Sequence, residues 1–186
     1  MLRISGGSLR GKKLSGPEGL EFRPTTAQVK EFVFFLFRQE IENSRFLDLF
    51  SGTGSLGLEA LSRGAREGFF VEKSSRTLHL LRKNLAACGV TDRAHVMAGD
   101  VFAVLDLLGK RGESFDLVFA DPPFKESLRG RIVDGVGQNG ILKSGGVLIL
   151  EHESHDPDVP HPELRLLRQK KFGHCIVSIY GHGSTA

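Results

Sequence analysis

From Phe46 onward the chain alternates short apolar segments with helix-forming stretches, and this alternation constrains the fold more than any other feature. The segments are apolar throughout rather than at every second position, which is typical of strands that are covered on both faces. Strands that alternate with helices in this way form parallel sheets. The sequence therefore predicts an α/β fold, a doubly wound, Rossmann-like and mostly parallel sheet.

The pattern also predicts individual elements. Ser74 or Ser75 is a suitable N-cap, Asp100 is another, and Gly89 can end a helix. The predicted strands are Phe46–Phe50, Gly68–Glu72, Ala94–Ala98, Phe115–Ala120 and Gly146–Glu151, and the predicted helices are Leu56–Arg63, Thr77–Cys88, Val101–Leu108 and Ser127–Gly137.

Both ends of the chain depart from the alternation. Leu164–Lys170 and His174–Tyr180 are strand-like and are joined at Phe172-Gly173, which predicts a C-terminal antiparallel hairpin. Near the N-terminus, Thr25 or Thr26 can cap a helix that continues to about Glu42. We interpret the aromatic residues of this region as packing residues; they are Phe22, Phe32, Phe34, Phe35 and Phe37.

Basic residues are concentrated at the N-terminus. Residues 1–30 hold six basic and two acidic side chains, whereas the whole chain of 186 residues has a net charge of only +3. Charge alone favours a solvated hairpin with turns at Gly6-Gly7 and Gly11, but a basic extension on a nearly neutral body also suits a polyanion. We therefore expect a basic N-terminal arm, residues 1–24, that forms a small β-hairpin/helix extension, and one domain, residues 25–186; that the arm binds RNA is an implication of the family resemblance described below.

Several classes of protein are excluded by composition. No apolar run approaches the ~20 residues of a membrane-spanning helix, and the charged N-terminus lacks the apolar core of a signal peptide. Cys88 and Cys175 lie far apart with no CxxC spacing, which argues against a disulfide framework and a zinc site. We expect a soluble, cytoplasmic monomer with no metal and no membrane partner.

A glycine-rich turn follows the first predicted strand. Gly52, Gly54 and Gly57 satisfy the pattern G-x-G-x-x-G, and Glu72 ends the next strand twenty residues after Gly52. Glycines allow the backbone to approach a ligand closely, and the helix that follows offers unpaired N–H groups. This is the dinucleotide fingerprint, so an NAD-dependent oxidoreductase is one hypothesis.

Acidic residues at neighbouring strand ends favour a different ligand. Asp48 lies where a pyrophosphate would be repelled but a cationic amino-acid group would be stabilised. Together with Glu72 and Asp100 it places three carboxylates at the carboxyl edge of the sheet, where such folds bind ligands. This set suits adenosine joined to an ammonium and a sulfonium. S-adenosylmethionine is therefore the predicted cofactor.

The segment Asp121-Pro122-Pro123-Phe124 follows the fourth predicted strand. Its prolines fix the backbone and remove N–H donors, so the Asp121 carboxylate and the Pro122 carbonyl can both accept from one exocyclic amino group. Phe124 offers a face on which the base that carries this group can stack. These two hydrogen bonds and the stacking contact would direct the lone pair of the amine toward a methyl donor. The segment therefore predicts a reaction that is catalysed mainly by positioning.

With these residues in place, the sequence resembles the class I methyltransferases of the RsmD family over nearly its whole length. That family methylates the exocyclic N2 of one guanine in small-subunit (16S) ribosomal RNA. The segments that carry the resemblance are Arg3–Gly7, Arg10-Gly11, Arg23-Pro24-Thr25, Asp48–Gly54, Gly57–Ala65, Asn84-Leu85, Asp121–Phe124, and Phe172-Gly173 with Tyr180.

The resemblance implies a role for each matching residue and a partner, which is small-subunit ribosomal RNA or an assembling small-subunit particle. It implies that Asp121 to Phe124 bind the target base. The implied cofactor-binding residues are Asp48, Phe50, Ser51, Gly52, Thr53 and Gly54 at the methionine end, Glu72 with Lys73 at the ribose, and Gly99, Asp100 and Val101 around the adenine; the implied RNA-binding residues are Arg3, Arg10, Lys12, Lys13, Arg23 and Thr25.

The N-terminal helix departs from the family pattern, because Phe32 replaces a smaller residue and Phe35 replaces an asparagine.

Three other functions compete with that of a guanine-N2 methyltransferase. The most similar is an N6-adenine or other amino-group nucleic-acid methyltransferase, and the other two belong to different classes. Against an NAD-dependent oxidoreductase, the sequence shows no visible acid/base pair such as Tyr-x-x-x-Lys. A nucleic-acid-binding module without catalysis leaves the set of Asp48, Glu72 and Asp121 unexplained.

Overall fold

The computed structural model describes residues 2–16, 27–123, 128–153 and 160–182. Its strands are β1 (Arg45–Leu49), β2 (Glu67–Glu72), β3 (Ala94–Ala98), β4 (Phe115–Ala120), β5 (Leu142–Glu153), β6 (Leu164–Phe172) and β7 (Cys175–His182), and its helices are α1 (Ala27–Leu36), α2 (Ser55–Ser62), α3 (Ser75–Cys88), α4 (Val101–Lys110) and α5 (Arg129–Gln138), with a 3₁₀ turn at Thr91–Arg93.

The seven strands form one sheet in the order β3-β2-β1-β4-β5-β7-β6. Strands β1 to β5 are parallel, whereas β7 runs antiparallel to β5 and to β6. Helices α1, α2 and α3 pack on one face of the sheet, and α4 and α5 pack on the other. The predicted doubly wound fold with a C-terminal antiparallel hairpin is confirmed.

Local sequence signals set several helix ends as predicted. The Ser74 hydroxyl accepts from the Thr77 N–H at the start of α3, and Gly89 ends this helix with a φ of 69°. The Asp100 carboxylate accepts from the Phe102 N–H at the start of α4. These contacts satisfy backbone groups that a helix leaves unpaired at its ends.

Several boundaries differ from the prediction, most of them by one or two residues, and three of the differences have a clear structural basis. Helix α1 ends at Leu36 rather than near Glu42, and the chain then turns through Asn43, whose φ is 60° and whose N–H donates to the Gly64 carbonyl. Strand β5 starts at Leu142 rather than Gly146, because Leu142 already pairs with Phe115 of β4, before the register shift that precedes Val147. The C-terminal hairpin turns at Gly173-His174, since Phe172 still pairs with Cys175.

The aromatic residues of α1 divide between the core and the surface. Phe34, and Phe37 just after the end of α1, are buried, which confirms their interpretation as packing residues. Phe35 is 70% exposed, so that interpretation is wrong for this residue. Phe22 and the predicted caps Thr25 and Thr26 lie outside the described residues, as does the predicted boundary at residue 24.

The N-terminal segment, residues 2–16, is packed against the domain. A bridge pairs Arg3 with Lys13, and the side chains of Ile4 and Leu14 enter the core on the α1 face of the sheet. The fully buried carboxylate of Glu59 in α2 accepts from the Ser5 N–H, the Ser5 hydroxyl and the Gly6 N–H, each at 2.8 Å. One buried carboxylate therefore anchors the segment.

We expect Glu59→Gln to destabilise the fold and to release residues 2–16 first, because the amide keeps only one acceptor oxygen and turns its NH₂ group toward at least one of the three donors. Breaking a buried charged network costs about 3–5 kcal/mol. Urea unfolding measures the loss, and hydrogen exchange at Ser5 and Gly6 locates it. Glu163→Gln, at an exposed position, is the control. Unchanged exchange at both amides in Glu59→Gln would contradict the anchoring role.

Candidate active site

Strand register brings the predicted site residues to one edge of the sheet. Leu49 lies opposite both Val71 and Ala120, so the residues that follow it stand beside Glu72 and Asp121. On the far side of β2, Glu72 lies opposite Ala98, which places Gly99 and Asp100 at the same edge. Parallel strands that end in register concentrate their following loops in one crevice, beside the point where the strand order reverses.

The turn from β1 to α2 depends on left-handed backbone. Gly52 and Gly54 have φ values of 54° and 85°, and Phe50, which is not a glycine, has a φ of 60°. A Cβ on Gly54 would come within 2.6 Å of Leu81. The Ser51 N–H and hydroxyl both donate to the Val71 carbonyl and hold the turn against β2.

Asp48 caps the helix that follows this turn. Gly54, the N-cap residue of α2, has no side chain to cap with, and the Gly57 N–H donates instead to Asp48 Oδ2 at 3.0 Å. Burial, and then the negative charges of Asp121 and Glu72, raise the pKa of Asp48 to about 8, although the Gly57 hydrogen bond opposes this. The Asp48 carboxyl is therefore poised to lose a proton when a cation arrives.

Glu72 braces the glycine turn from the neighbouring strand. Its carboxylate accepts from the Gly52 N–H at 3.0 Å and from the Ser74 N–H at 2.7 Å. An ionised carboxylate offers about four acceptor sites, so these two bonds leave capacity for the hydroxyls of a ribose. The Gly99 N–H donates to the Glu72 carbonyl, which fixes the next loop beside it.

Exposed charged side chains follow both β2 and β3, namely Lys73 and Asp100. Lys73 Nζ lies 3.5 Å from Asp100 Oδ2, and both side chains are largely exposed. The other oxygen of Asp100 caps α4, so this carboxylate has a structural role as well as its predicted cofactor role. Val101, which follows it, is buried in the core on the α4 face.

A pocket opens beside Asp121 on the α1 face of the sheet. Its walls are mainly apolar, and two carboxylates, those of Asp121 and Glu151, line it from the ends of adjacent strands. Pro122 is buried and Pro123 is exposed, whereas Phe124 lies outside the described residues. The remaining residues that line the pocket are Val29, Val33, Leu56, Phe119, Ala120, Ile149 and Val177.

The residues at this edge fit the predicted cofactor. The buried Thr53 hydroxyl has no hydrogen-bond partner among the described residues. A buried polar group without a partner is costly, so a ligand that bonds it is favoured. The carboxylates of Asp48 and Glu72 complete a site for a cation joined to a ribose.

Comparisons with known proteins decide the family. A model of the family described as conserved hypothetical protein 95 matches residues 2–181. The ribosomal RNA small subunit methyltransferase D of Escherichia coli (strain K12) is 33% identical over 181 residues, which cover 96% of this chain and 89% of that protein. The chain belongs to this family. Its resemblance to the RsmD family is confirmed.

Other relatives agree with this assignment. The putative rRNA methyltransferase YlbH of Bacillus subtilis (strain 168) is 33% identical over 183 residues, covering 96% of this chain and 98% of that protein. A solved structure described as the putative methyltransferase yhhF from Escherichia coli has a TM-score of 0.86 and 32% identity, and the match covers 99% of each chain. These matches favour the methyltransferase hypothesis over the oxidoreductase one.

In this RsmD-family chain the predicted RNA-binding residues separate into two groups. Arg3, Arg10, Lys12 and Lys13 are exposed on the N-terminal segment, and Lys12 Nζ donates to the Ala87 carbonyl near the end of α3. Arg23 and Thr25 lie outside the described residues. In the described part of the chain, no helix is long and apolar enough to span a membrane and no group of His, Cys, Asp and Glu could hold a metal ion.

Two polar residues near the site were not predicted to act there. The buried Asn84 side chain donates to the Ser15 and Thr53 carbonyls and accepts from the Ser15 N–H, which joins the N-terminal segment to the glycine turn. Glu151 accepts from the buried thiol of Cys175 at 3.0 Å. The only sequence signal for Asn84 was its place in the family resemblance, and Glu151 was predicted only as the end of a strand.

Asp48→Asn should stabilise the protein in a pH-dependent way. The pKa of Asp48 is about 8 in the folded protein against 3.8 ordinarily, so its contribution to stability falls as pH rises through this interval. Asparagine keeps an acceptor for the Gly57 N–H and carries no charge. We expect a gain in the free energy of unfolding that is larger at pH 8 than at pH 5, measured by urea unfolding. An equal gain at both pH values would contradict the raised pKa.

Proposed function

We propose that this chain transfers the methyl group of S-adenosylmethionine to the exocyclic N2 amino group of a guanine in small-subunit ribosomal RNA. Family membership and the names of the relatives, which are ribosomal RNA methyltransferases, support the cofactor and the RNA class. The observation that carries the choice of base is the pocket in which Asp121 and Glu151 meet.

The cofactor would occupy the carboxyl edge of β1, β2 and β3. When bound, S-adenosylmethionine supplies a methyl group activated by a sulfonium. Glu72 accepts hydrogen bonds from its ribose, and Asp48 stabilises its cationic methionine end. The Thr53 hydroxyl gains a partner there, and the loop that contains Gly99 and Asp100 borders the adenine.

Guanine fits two carboxylates better than adenine does. The Watson–Crick edge of guanine presents the N2 amino group and the adjacent N1–H, which are both donors, whereas adenine presents an acceptor at N1 beside its amino group. An ionised carboxylate is an acceptor only. With Asp121 on the amino group, Glu151 can accept from N1–H of guanine, but it would face a lone pair on adenine. The pocket therefore favours guanine.

Asp121 and Pro122 then position the reacting nitrogen. The Asp121 carboxylate and the Pro122 carbonyl hold the two amino hydrogens, which directs the nitrogen lone pair toward the methyl carbon. Held in this way, the nitrogen would attack the methyl group that the bound cofactor supplies, with the neutral thioether as the leaving group that takes the electron pair of the broken bond. The nitrogen, now cationic, loses a proton to Asp121 or to water. Positioning of this kind accounts for much of the rate enhancement in such displacements.

Glu72→Ala tests the cofactor site. Hydrogen bonds to a charged acceptor are worth about 1.5–3 kcal/mol, so we expect S-adenosylmethionine to bind roughly 10–150-fold more weakly, as measured by calorimetry. Glu67→Ala, at the opposite end of the same strand, should bind the cofactor with wild-type affinity. Equal affinities for the wild type and Glu72→Ala would refute the role of Glu72.

Glu151→Gln tests the choice of base. The amide oxygen can still accept from guanine N1–H but carries no charge, so we expect kcat/KM on ribosomal RNA to fall roughly 2- to 30-fold, from the loss of about 0.5–2 kcal/mol, while cofactor affinity is unchanged. Glu163→Gln is the matched control. Mass spectrometry of nucleosides from the wild-type reaction should give N2-methylguanosine. N6-methyladenosine would overturn the base assignment, and a methyl group on carbon or ribose oxygen would also overturn the role of Asp121.

A further inference from the structure

Beside the pocket lies an aromatic and basic surface that has no role in the chemistry above; its cations and Phe35 are exposed, whereas Phe32 and Phe172 are half-buried against the core. It is built by α1 and by the edge strand β6, and we call it the α1–β6 surface. Its residues are Phe32, Phe35, Arg38, Arg168, Lys170 and Phe172.

Aromatic rings and cations alternate on this surface. The ring centroids of Phe32 and Phe172 are 5.4 Å apart. Lys170 Nζ lies 4.9 Å from the Phe32 centroid, and the Arg168 guanidinium carbon lies 5.8 Å from it on the same strand. The contacts hold the cations over ring faces while their donors stay exposed to solvent.

Phe35 extends the surface along α1. It is 70% exposed, more than either of the other large apolar side chains that are exposed in the described part of the chain. The Arg38 guanidinium carbon lies 5.4 Å from its centroid. A ring that is mostly exposed to solvent, and that carries a cation beside it, is suited to stacking on a planar group of a negatively charged partner.

The charge of β6 is of one sign. This strand carries Arg165, Arg168, Lys170 and Lys171 and no acidic residue, and all four basic side chains are exposed. Such a strand attracts phosphate groups, whereas most protein partners would present both signs of charge or an apolar face.

The surface is continuous with the pocket. Val29 and Val33 of α1 line the pocket, and Phe32 adjoins Val33. On the sheet, Lys170 pairs with Val177, another residue that lines the pocket, and Phe172 pairs with Cys175, whose thiol bonds Glu151. A strand of RNA with one base in the pocket would pass directly over α1 and β6.

We propose that the α1–β6 surface binds the single-stranded RNA that flanks the target guanine, with its rings stacked on bases and its cations on phosphates. The inference rests on the proposed function, because it takes RNA as the substrate. It gives Phe32 and Phe35 a role in binding the substrate. The N-terminal segment is then a second RNA contact, formed by different residues.

The test compares two triple variants. Each replaces one exposed apolar side chain and two exposed cations, and the two sets lie on opposite faces of the sheet. Phe35→Ser/Arg168→Gln/Lys170→Gln changes the α1–β6 surface. Leu107→Ser/Lys110→Gln/Arg111→Gln removes one exposed apolar side chain and two exposed cations from α4 and the residue after it. All six positions are exposed, so both variants should fold and bind S-adenosylmethionine as the wild type does.

Affinity for a ribosomal RNA fragment is measured by fluorescence anisotropy over a range of salt concentrations. Loss of one stacked base alone should weaken binding by the α1–β6 variant about 5- to 150-fold. The slope of log K against log salt should fall by about 0.7 for each of the two lost phosphate contacts. KM for RNA should rise while kcat at saturating RNA stays unchanged. The α4 variant should match the wild type in each respect.

The outcomes separate this proposal from the proposed function. If the wild type methylates guanine N2 and the α1–β6 variant binds RNA with the affinity and salt slope of the α4 variant, the surface proposal is overturned and the function stands. Loss of a dimer in the α1–β6 variant alone, seen by sedimentation with RNA binding unchanged, would also overturn it and identify a second copy as the partner. If the wild type methylates no RNA, the proposed function itself fails.

Discussion

The hydrogen bond from the Gly57 N–H to the Asp48 carboxylate is the contact on which the site depends. It caps α2 from the neighbouring strand, so the N-cap position itself needs no polar side chain. That position can then be Gly54, whose left-handed backbone lets the chain turn tightly between β1 and α2. The cap carries a cost, because it places a carboxyl group where burial raises its pKa to about 8. A bound cation would offset that cost.

The N-terminal segment and the glycine turn share their supports. Asn84 bonds both Ser15 and Thr53, and the buried Lys30 ammonium lies 3.3 Å from both the Arg3 carbonyl and the Ser55 hydroxyl. Burial lowers the pKa of Lys30, while the nearby Glu59 carboxylate opposes that shift. Because the same side chains hold a predicted RNA contact and the predicted cofactor loop, the two are positioned together rather than independently.

Local signals made much of the fold predictable. The strands Ala94–Ala98 and Phe115–Ala120 were predicted to the residue, and the caps at Ser74 and Asp100 form as their side chains require. The site residues on β1, β2 and β4 were also placed at one edge, since the edge of a parallel sheet follows from strand order. These features depend on short stretches of sequence or on one general rule of topology.

The features of the fold and the site that were not predicted from the sequence depend on contacts between distant segments. Asn84 reaches Thr53 across 31 positions, and Glu151 lines the same pocket as Asp121 only because β4 and β5 are neighbours. Composition cannot show that Phe34 is buried while Phe35, one position later, is exposed, because the face of a helix that packs is set by its partner. The roles of Phe124, Arg23 and Thr25 stay predictions.

The position of β6 has a consequence for the behaviour of the chain in concentrated solution. An edge strand exposes unpaired backbone N–H and C=O groups that can pair with a strand of another molecule, which is a route to aggregation. The four basic side chains of β6 would repel those of a second copy at this edge. The charges that suit this strand to a polyanion thus also keep identical chains from joining sheet to sheet.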